Sequence, residues 1–214
     1  MARLMEAPLD WQIGPLLPWL DLMAIAVFAA TGALVAIRSA QTFTTAAFFA
    51  LITGVGGGTV RDLLIDAPVF WVHDRLVAGI CVAAAMLVWL TPERWWQGRV
   101  LAWLDALGLA AYAVFGSAKA VAFGVPPIPA AVMGVVTACV GGIIRDTLAN
   151  QPSILMRPEL YVTAATLAAG LYVALLVFGM PPAASAGIAT LAGFGLRAVA
   201  IMFKVALPSY RGLR

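Results

Sequence analysis

The chain has 214 residues, of which 63% are hydrophobic and only 11% charged, with a net charge of +3 and a mean hydropathy of +0.99. Soluble domains carry about 25% charged residues, so this composition excludes a water-soluble globule and points to an integral membrane protein. The positive charge does not indicate a nucleic-acid partner, because the basic residues are scattered between apolar runs rather than gathered in one patch.

A chain of this length accommodates roughly six to eight spans of about 20 residues. Residues 1–18 read as a polar-flanked N-terminal segment. No cleaved signal peptide is expected, since the first long apolar run begins only near Trp19 with no small-residue cleavage site soon after. Seven transmembrane helices follow, expected at 20–37, 43–66, 75–91, 103–123, 128–150, 159–178 and 184–207. The breaks between them are chemically sensible: RSAQT, DAPVFWVHDR, TPERWWQGR, GVPPIP, NQPSILMRPE and GMPP. Trp11, Trp19, Trp71, Trp89, Trp95, Trp96 and Trp103 all fall at or beyond span ends, where an amphipathic ring prefers to sit.

Seven spans put the two termini on opposite sides. Arg38, Arg94, Arg99, Arg157, Arg211 and Arg214 then share one side, and Arg3 and Arg75 the other. The positive-inside rule places the C-terminus in the cytoplasm and the N-terminus outside an inner membrane. His73 is expected to be an interfacial residue of the outer side. Cys81 and Cys139 fall within apolar spans and read as small buried hydrophobes.

The stretch TGVGGGTVRDLL, from Thr53, recurs as TACVGGIIRDTL, from Thr137. The offset is 145 − 61 = 146 − 62 = 84 residues. It also pairs Trp19 with Trp103, Asp21 with Asp105, Gly32 with Gly116 and Pro68 with Pro152. Chance matches among Ala are cheap in this composition; matches among Trp, Asp, Arg and Pro are not, so the chain is internally duplicated. Three spans per repeat make the second copy enter from the opposite face. The expected architecture is all-α: a first repeat at 19–91, an inverted second repeat at 92–178, a seventh helix within 179–207 and a cytoplasmic tail at 208–214.

The glycines Gly54, Gly56, Gly57 and Gly58 fall near the middle of helix 2, and Gly141 and Gly142 near the middle of helix 5. Each costs a helix about 1 kcal/mol relative to Ala, so a kink or short unwound stretch is expected. Carbonyls freed there, with the hydroxyls of Thr53, Thr59 and Thr137, can replace part of a cation's hydration shell. Close packing through small-xxx-small pairs, Gly54 with Gly58 and Ala138 with Gly142, is the alternative use of the same glycines. The pairs Arg61–Asp62 and Arg145–Asp146 lie about 10 Å beyond the helix centres. They are expected to face protein or water, because a charge in hydrocarbon costs at least about 2.5 kcal/mol. Lys119 in helix 4 and Arg197, read as central in helix 7, have no repeat partners and are candidate gating or voltage-sensing residues. Counting Arg61, Lys119, Arg145 and Arg197 against Asp62 and Asp146 leans toward anions.

GVGGGT lacks the GK[ST] ending of a phosphate loop and follows no strand. No metal-ligand spacing or nucleophile–His grouping occurs, so neither enzyme activity nor a metal or other cofactor is expected.

The doubled motif, GGGTVRD and GGIIRD on helices 2 and 5 of a 3+3+1 arrangement, resembles that of the prokaryotic TRIC (trimeric intracellular cation) channel family, over about residues 19–207. The resemblance implies a homotrimer in membrane lipid, with one pore per subunit between kinked helices 2 and 5. It implies conduction of potassium or other monovalent cations. The kinks would fall at Gly56–Gly58 and at Gly141 and Gly142, and Lys119 would sit in the helix tied to gating in animal members. The lysine-rich extension of those members is missing after helix 2, so their phosphoinositide regulation is not carried over. A secondary transporter of a small solute such as glycine is the alternative function, since inverted repeats with broken helices also suit alternating access.

Overall fold

The computed structural model describes residues 17–97, 99–156 and 159–207. Arg3, Trp11, Arg157, Arg211 and Arg214, which enter the topology argument, lie outside the described residues, as do most of the 1–18 segment and the 208–214 tail. Among the described residues, seven helices longer than two turns carry the fold: α1 (Leu17–Arg38), α2 (Phe43–Leu64), α3 (Arg75–Leu90), α4 (Val100–Ala122), α5 (Pro127–Leu148), α6 (Tyr161–Val177) and α7 (Pro182–Phe203). A single helical turn, Phe70–His73, joins α2 to α3. Five of the seven, α1, α2, α4, α5 and α7, are long and apolar enough to cross a membrane; α3 and α6 are shorter apolar helices. Thr42 caps α2 by accepting from the Thr45 N–H. Pro127 and Pro182 open α5 and α7, where their missing N–H groups cost nothing.

Packing follows the repeat. Contacts of α1 with α2 and α3, and of α2 with α3, are mirrored by those of α4 with α5 and α6, and of α5 with α6. The halves meet through α1 against α4 and α2 against α5, while α7 packs on α4 and α6. Phe28 and Tyr112, partners at the 84-residue offset, stack on each other at 5.3 Å between ring centroids. A residue touches its own repeat partner only beside the axis that exchanges the halves, so that axis passes through this stack.

The turns repeat as well. Ala40 and Gly124 both take positive φ, 54° and 79°, and Asp66 and Asn150 do the same at 54° and 51°. In the first pair the next residue bonds back to the helix, Gln41 N–H to Ala36 C=O and Val125 N–H to Ala120 C=O. This is the glycine-favoured helix stop. Ala40 bears a Cβ penalty that Gly124 avoids. Ala40→Gly is therefore expected to stabilise the protein by about 1 kcal/mol, read as a raised melting temperature in detergent.

Two expectations are corrected. First, of the kink or unwound stretch expected at the glycines, the unwound stretch does not form: α2 and α5 are helical through all of them. The glycines serve close approach instead. A Cβ on Gly57 would lie 2.0 Å from the Thr137 carbonyl oxygen, and one on Gly141 would lie 2.5 Å from that of Thr53. These contacts are exchanged by the offset, 57 to 141 and 137 to 53. The expected pairs Gly54–Gly58 and Ala138–Gly142 do not form this crossing. Gly54 faces Cys81 and Ile25, and Gly58 lies under the Phe70 ring. Second, α7 ends at Phe203, so Arg197 sits in the last two turns rather than at the helix centre.

Candidate functional site

The α2–α5 crossing is the centre of the site. Its backbones touch at Gly57 and Gly141, leaving no room for an ion between them at that level. The hydroxyls expected to face an ion are occupied or enclosed. Thr137 Oγ1 donates to Met133 C=O, and Thr59 Oγ1 donates to Val55 C=O while accepting from Trp71 Nε1. Thr53 Oγ1 is buried without a hydrogen-bond partner among the described residues. The Tyr112 hydroxyl crosses from α4 to donate to the Gly54 carbonyl at 2.5 Å.

A buried ionic cluster flanks each side of the crossing. Asp62 accepts from Arg61 Nε at 2.9 Å, from Lys119 Nζ at 2.8–2.9 Å through both oxygens, and from the Phe70 N–H at 3.0 Å. Arg61 Nη2 also lies 2.8 Å from Asp62 Oδ1, away from the hydrogen-bond direction. The guanidinium sits over the Phe115 ring at 5.2 Å, and Lys119 Nζ lies 5.6 Å from the Phe70 ring. Arg61 and Asp62 are fully buried. Two cations thus share one carboxylate.

The second cluster follows the same plan with opposite sign. Asp146 accepts from Arg145 Nε at 2.9 Å and from the Ile154 N–H at 2.9 Å; Ile154 is the repeat partner of Phe70. Arg145 Nη1 donates to Asp105 at 2.6 Å and to Thr31 Oγ1 at 3.0 Å; Thr31 is the repeat partner of Phe115. Here two carboxylates share one guanidinium. The difference traces to one substitution in the repeat and one change of pairing. Lys119 stands opposite Val35, and Asp105 is held by Arg145 while Asp21, its partner, forms no ion pair among the described residues.

Arg197 pairs with Glu159 and lies over the Tyr161 ring at 5.5 Å. With Asp105 and Glu159 included, the four basic residues Arg61, Lys119, Arg145 and Arg197 face the four acids Asp62, Asp146, Asp105 and Glu159. The lean toward anions in the sequence count disappears. Asp105 carried a signal, its match to Asp21 at the offset; Glu159 carried none, because its pairing depends on how α7 packs. A cavity of about 230 Å³ opens beside the second cluster, lined among others by Arg38, Arg99, Asp105, Asp146, Glu159 and Arg197.

Known proteins are similar to this chain in sequence and fold. The family model described as Glycine transporter matches residues 18–93 and 102–177; the two segments are offset by 102 − 18 = 177 − 93 = 84 residues. A UPF0126 membrane protein of Vibrio cholerae is 34% identical over 201 residues, covering 91% of this chain and 83% of its own. The UPF0126 inner membrane protein YadS of Escherichia coli is 34% identical over 196 residues, covering 90% and 95%. The TRIC trimeric intracellular cation channel orthologue from Rhodobacter sphaeroides superposes with a TM-score of 0.84 at 37% identity, over 90% of this chain and all of that one. A prokaryotic TRIC channel solved in 0.5 M KCl gives 0.80 at 25% identity, over 89% and 98%.

Proposed function

The chain belongs to the prokaryotic TRIC family, whose model carries the description Glycine transporter, and from that premise we propose that it is a passive channel for monovalent cations, potassium foremost. It spans the inner membrane seven times, N-terminus outside and C-terminus in the cytoplasm, as inverted repeats at 19–91 and 92–178 followed by α7. At about 1.5 Å per residue, α3 and α6 reach about 25 Å, short of the roughly 30 Å hydrocarbon core, and the turns flanking them extend their reach. Three copies assemble in lipid with one conduction path in each.

The observation that carries the reading is the glycine crossing of α2 and α5 between two clusters of opposite charge. Helices whose backbones touch at Gly57 and Gly141, with Ile144 reaching across to Gly56, can part there without breaking interlocked side chains. Parting them exposes the carbonyls of Thr53 and Thr137, which supply the oxygens a dehydrating cation needs. Lys119, held on Asp62, is the charge whose release accompanies opening, because a buried cation responds to the transmembrane potential. Arg197, held by Glu159, is the second such candidate.

The rival reading, secondary transport of a small solute such as glycine, is favoured by the family description. Purified protein in liposomes separates the two. We expect potassium efflux that follows the electrical driving force, with no counterflow of radiolabelled glycine. Saturable glycine uptake with counterflow, and no potassium flux, would establish the transporter instead.

A further inference from the structure

We propose that Asp21 is the second acceptor of the Arg61 guanidinium, and that this pair, open in the present structure, is a latch between the start of α1 and the end of α2. The second cluster shows the matching latch closed. There Arg145 grips its neighbour Asp146 through Nε and Nη2 and reaches through Nη1 to Asp105 at 2.6 Å, which ties the end of α5 to the start of α4. Arg61 faces Asp62 with the same two nitrogens. Its Nη1 is buried without a hydrogen-bond partner among the described residues. Thr31, which also accepts from Arg145 Nη1, is matched by Phe115, whose ring gives the guanidinium a face but no oxygen. A buried guanidinium donor left without an acceptor is costly.

Asp21 is the residue placed to accept it. It matches Asp105 at the 84-residue offset, stands in the second turn of α1, and lies within electrostatic reach of Arg61, Lys119 and Asp62. It forms no ion pair among the described residues. Asp74, the other acid in its reach, caps α3 through the Leu76 N–H. Arg61 and Lys119 share Asp62, so the cluster carries one excess positive charge, and a second carboxylate brings it to balance. The Lys119 ammonium is already held by both Asp62 oxygens, which leaves Arg61 as the partner for Asp21. A planar fork presents separate donors to two carboxylates at once, as Arg145 does, whereas a single ammonium does not. The closed latch makes the end of α2 move with the start of α1. Resting on the channel reading, the α2–α5 crossing is shut here while the latch is open, so the latch closes in the state in which the crossing has parted.

Spin labels at Trp19→Cys and Leu64→Cys, both exposed and at the two ends the latch joins, report its closure in liposomes as an electron–electron distance. The native Cys81 and Cys139 are buried, away from the label. Two distances are expected, the shorter from the latched state. A hydrogen bond between charged groups changes a two-state ratio by about tenfold or more, so the shorter population is expected to fall by about that factor in Asp21→Asn and to persist in Asp21→Glu. A single distance, or a distribution that Asp21→Asn leaves unchanged, overturns the inference. Open probability in planar bilayers is expected to fall by a similar factor in Asp21→Asn, and not to fall when the same change is made in an Arg61→Lys background, where the charge stays but two carboxylates are no longer bridged. An equal loss in both backgrounds means that Asp21 acts through its charge alone, and overturns the latch while leaving the channel reading intact. A wild type that carries no current defeats the channel reading; the spin-label distances then decide the latch by themselves.

Discussion

Asp62→Ala is expected to destabilise the folded protein by about 3–5 kcal/mol, read as a large drop in melting temperature in detergent. Asp62 answers Arg61, Lys119 and the Phe70 N–H at once. Truncation leaves two cations close together in a site where Arg61 is fully buried and Lys119 only 5% exposed, with aromatic rings as their nearest compensation. The magnitude measures the cost of uncompensated buried charge, not the net worth of the pairs, since buried ion pairs often stabilise no more than apolar residues of the same shape. Adding Lys119→Met to Asp62→Ala removes one of the stranded cations and is expected to recover part of the loss. A cost for Asp62→Ala below about 1 kcal/mol, the range of solvated pairs, would mean that water reaches this cluster.

Gly57→Ala is expected to be destabilising by about 1–3 kcal/mol or more, although Ala is the better helix former by about 1 kcal/mol. The new Cβ would stand 2.0 Å from the Thr137 carbonyl oxygen, a backbone atom that moves only if α5 moves. Gly141→Ala is expected to act in the same direction through the Thr53 carbonyl at 2.5 Å. Gly79 in α3 and Gly170 in α6 are the controls: nothing lies within 4 Å of a Cβ at either site. Ala there is expected to stabilise by up to about 1 kcal/mol. Melting temperatures of the four single variants check the opposite signs. Neutral or favourable Gly57→Ala would mean that α2 and α5 do not touch at this level.

Much of the fold was legible in the sequence because the repeat is carried by residues that do not match by chance. Trp19 with Trp103, Asp21 with Asp105 and the doubled Arg-Asp pairs revealed the duplication, and helix ends fell within a few residues of the expected breaks. The glycine run was not legible in the same way. Helix propensity is local and favours a break at four glycines. What the glycines of α2 meet is the surface of α5, a contact between residues 57 and 137 that no local pattern encodes. Arg197 was placed too centrally because the apolar run continues past Phe203, where α7 stops with Lys204 in the left-handed region. The charge count went astray for a related reason. Asp105 and Glu159 lie near helix starts, where an acid reads as an interfacial residue, and only the packing of α4 on α5 and of α6 on α7 turns them toward Arg145 and Arg197.

The central claim is that the path between α2 and α5 conducts cations. It is tested most directly by planar-bilayer recording of the purified protein under a potassium chloride gradient. The account expects unitary currents reversing near the potassium equilibrium potential. Reversal near the chloride potential would contradict it, and would mean that the basic residues of the two clusters control what passes.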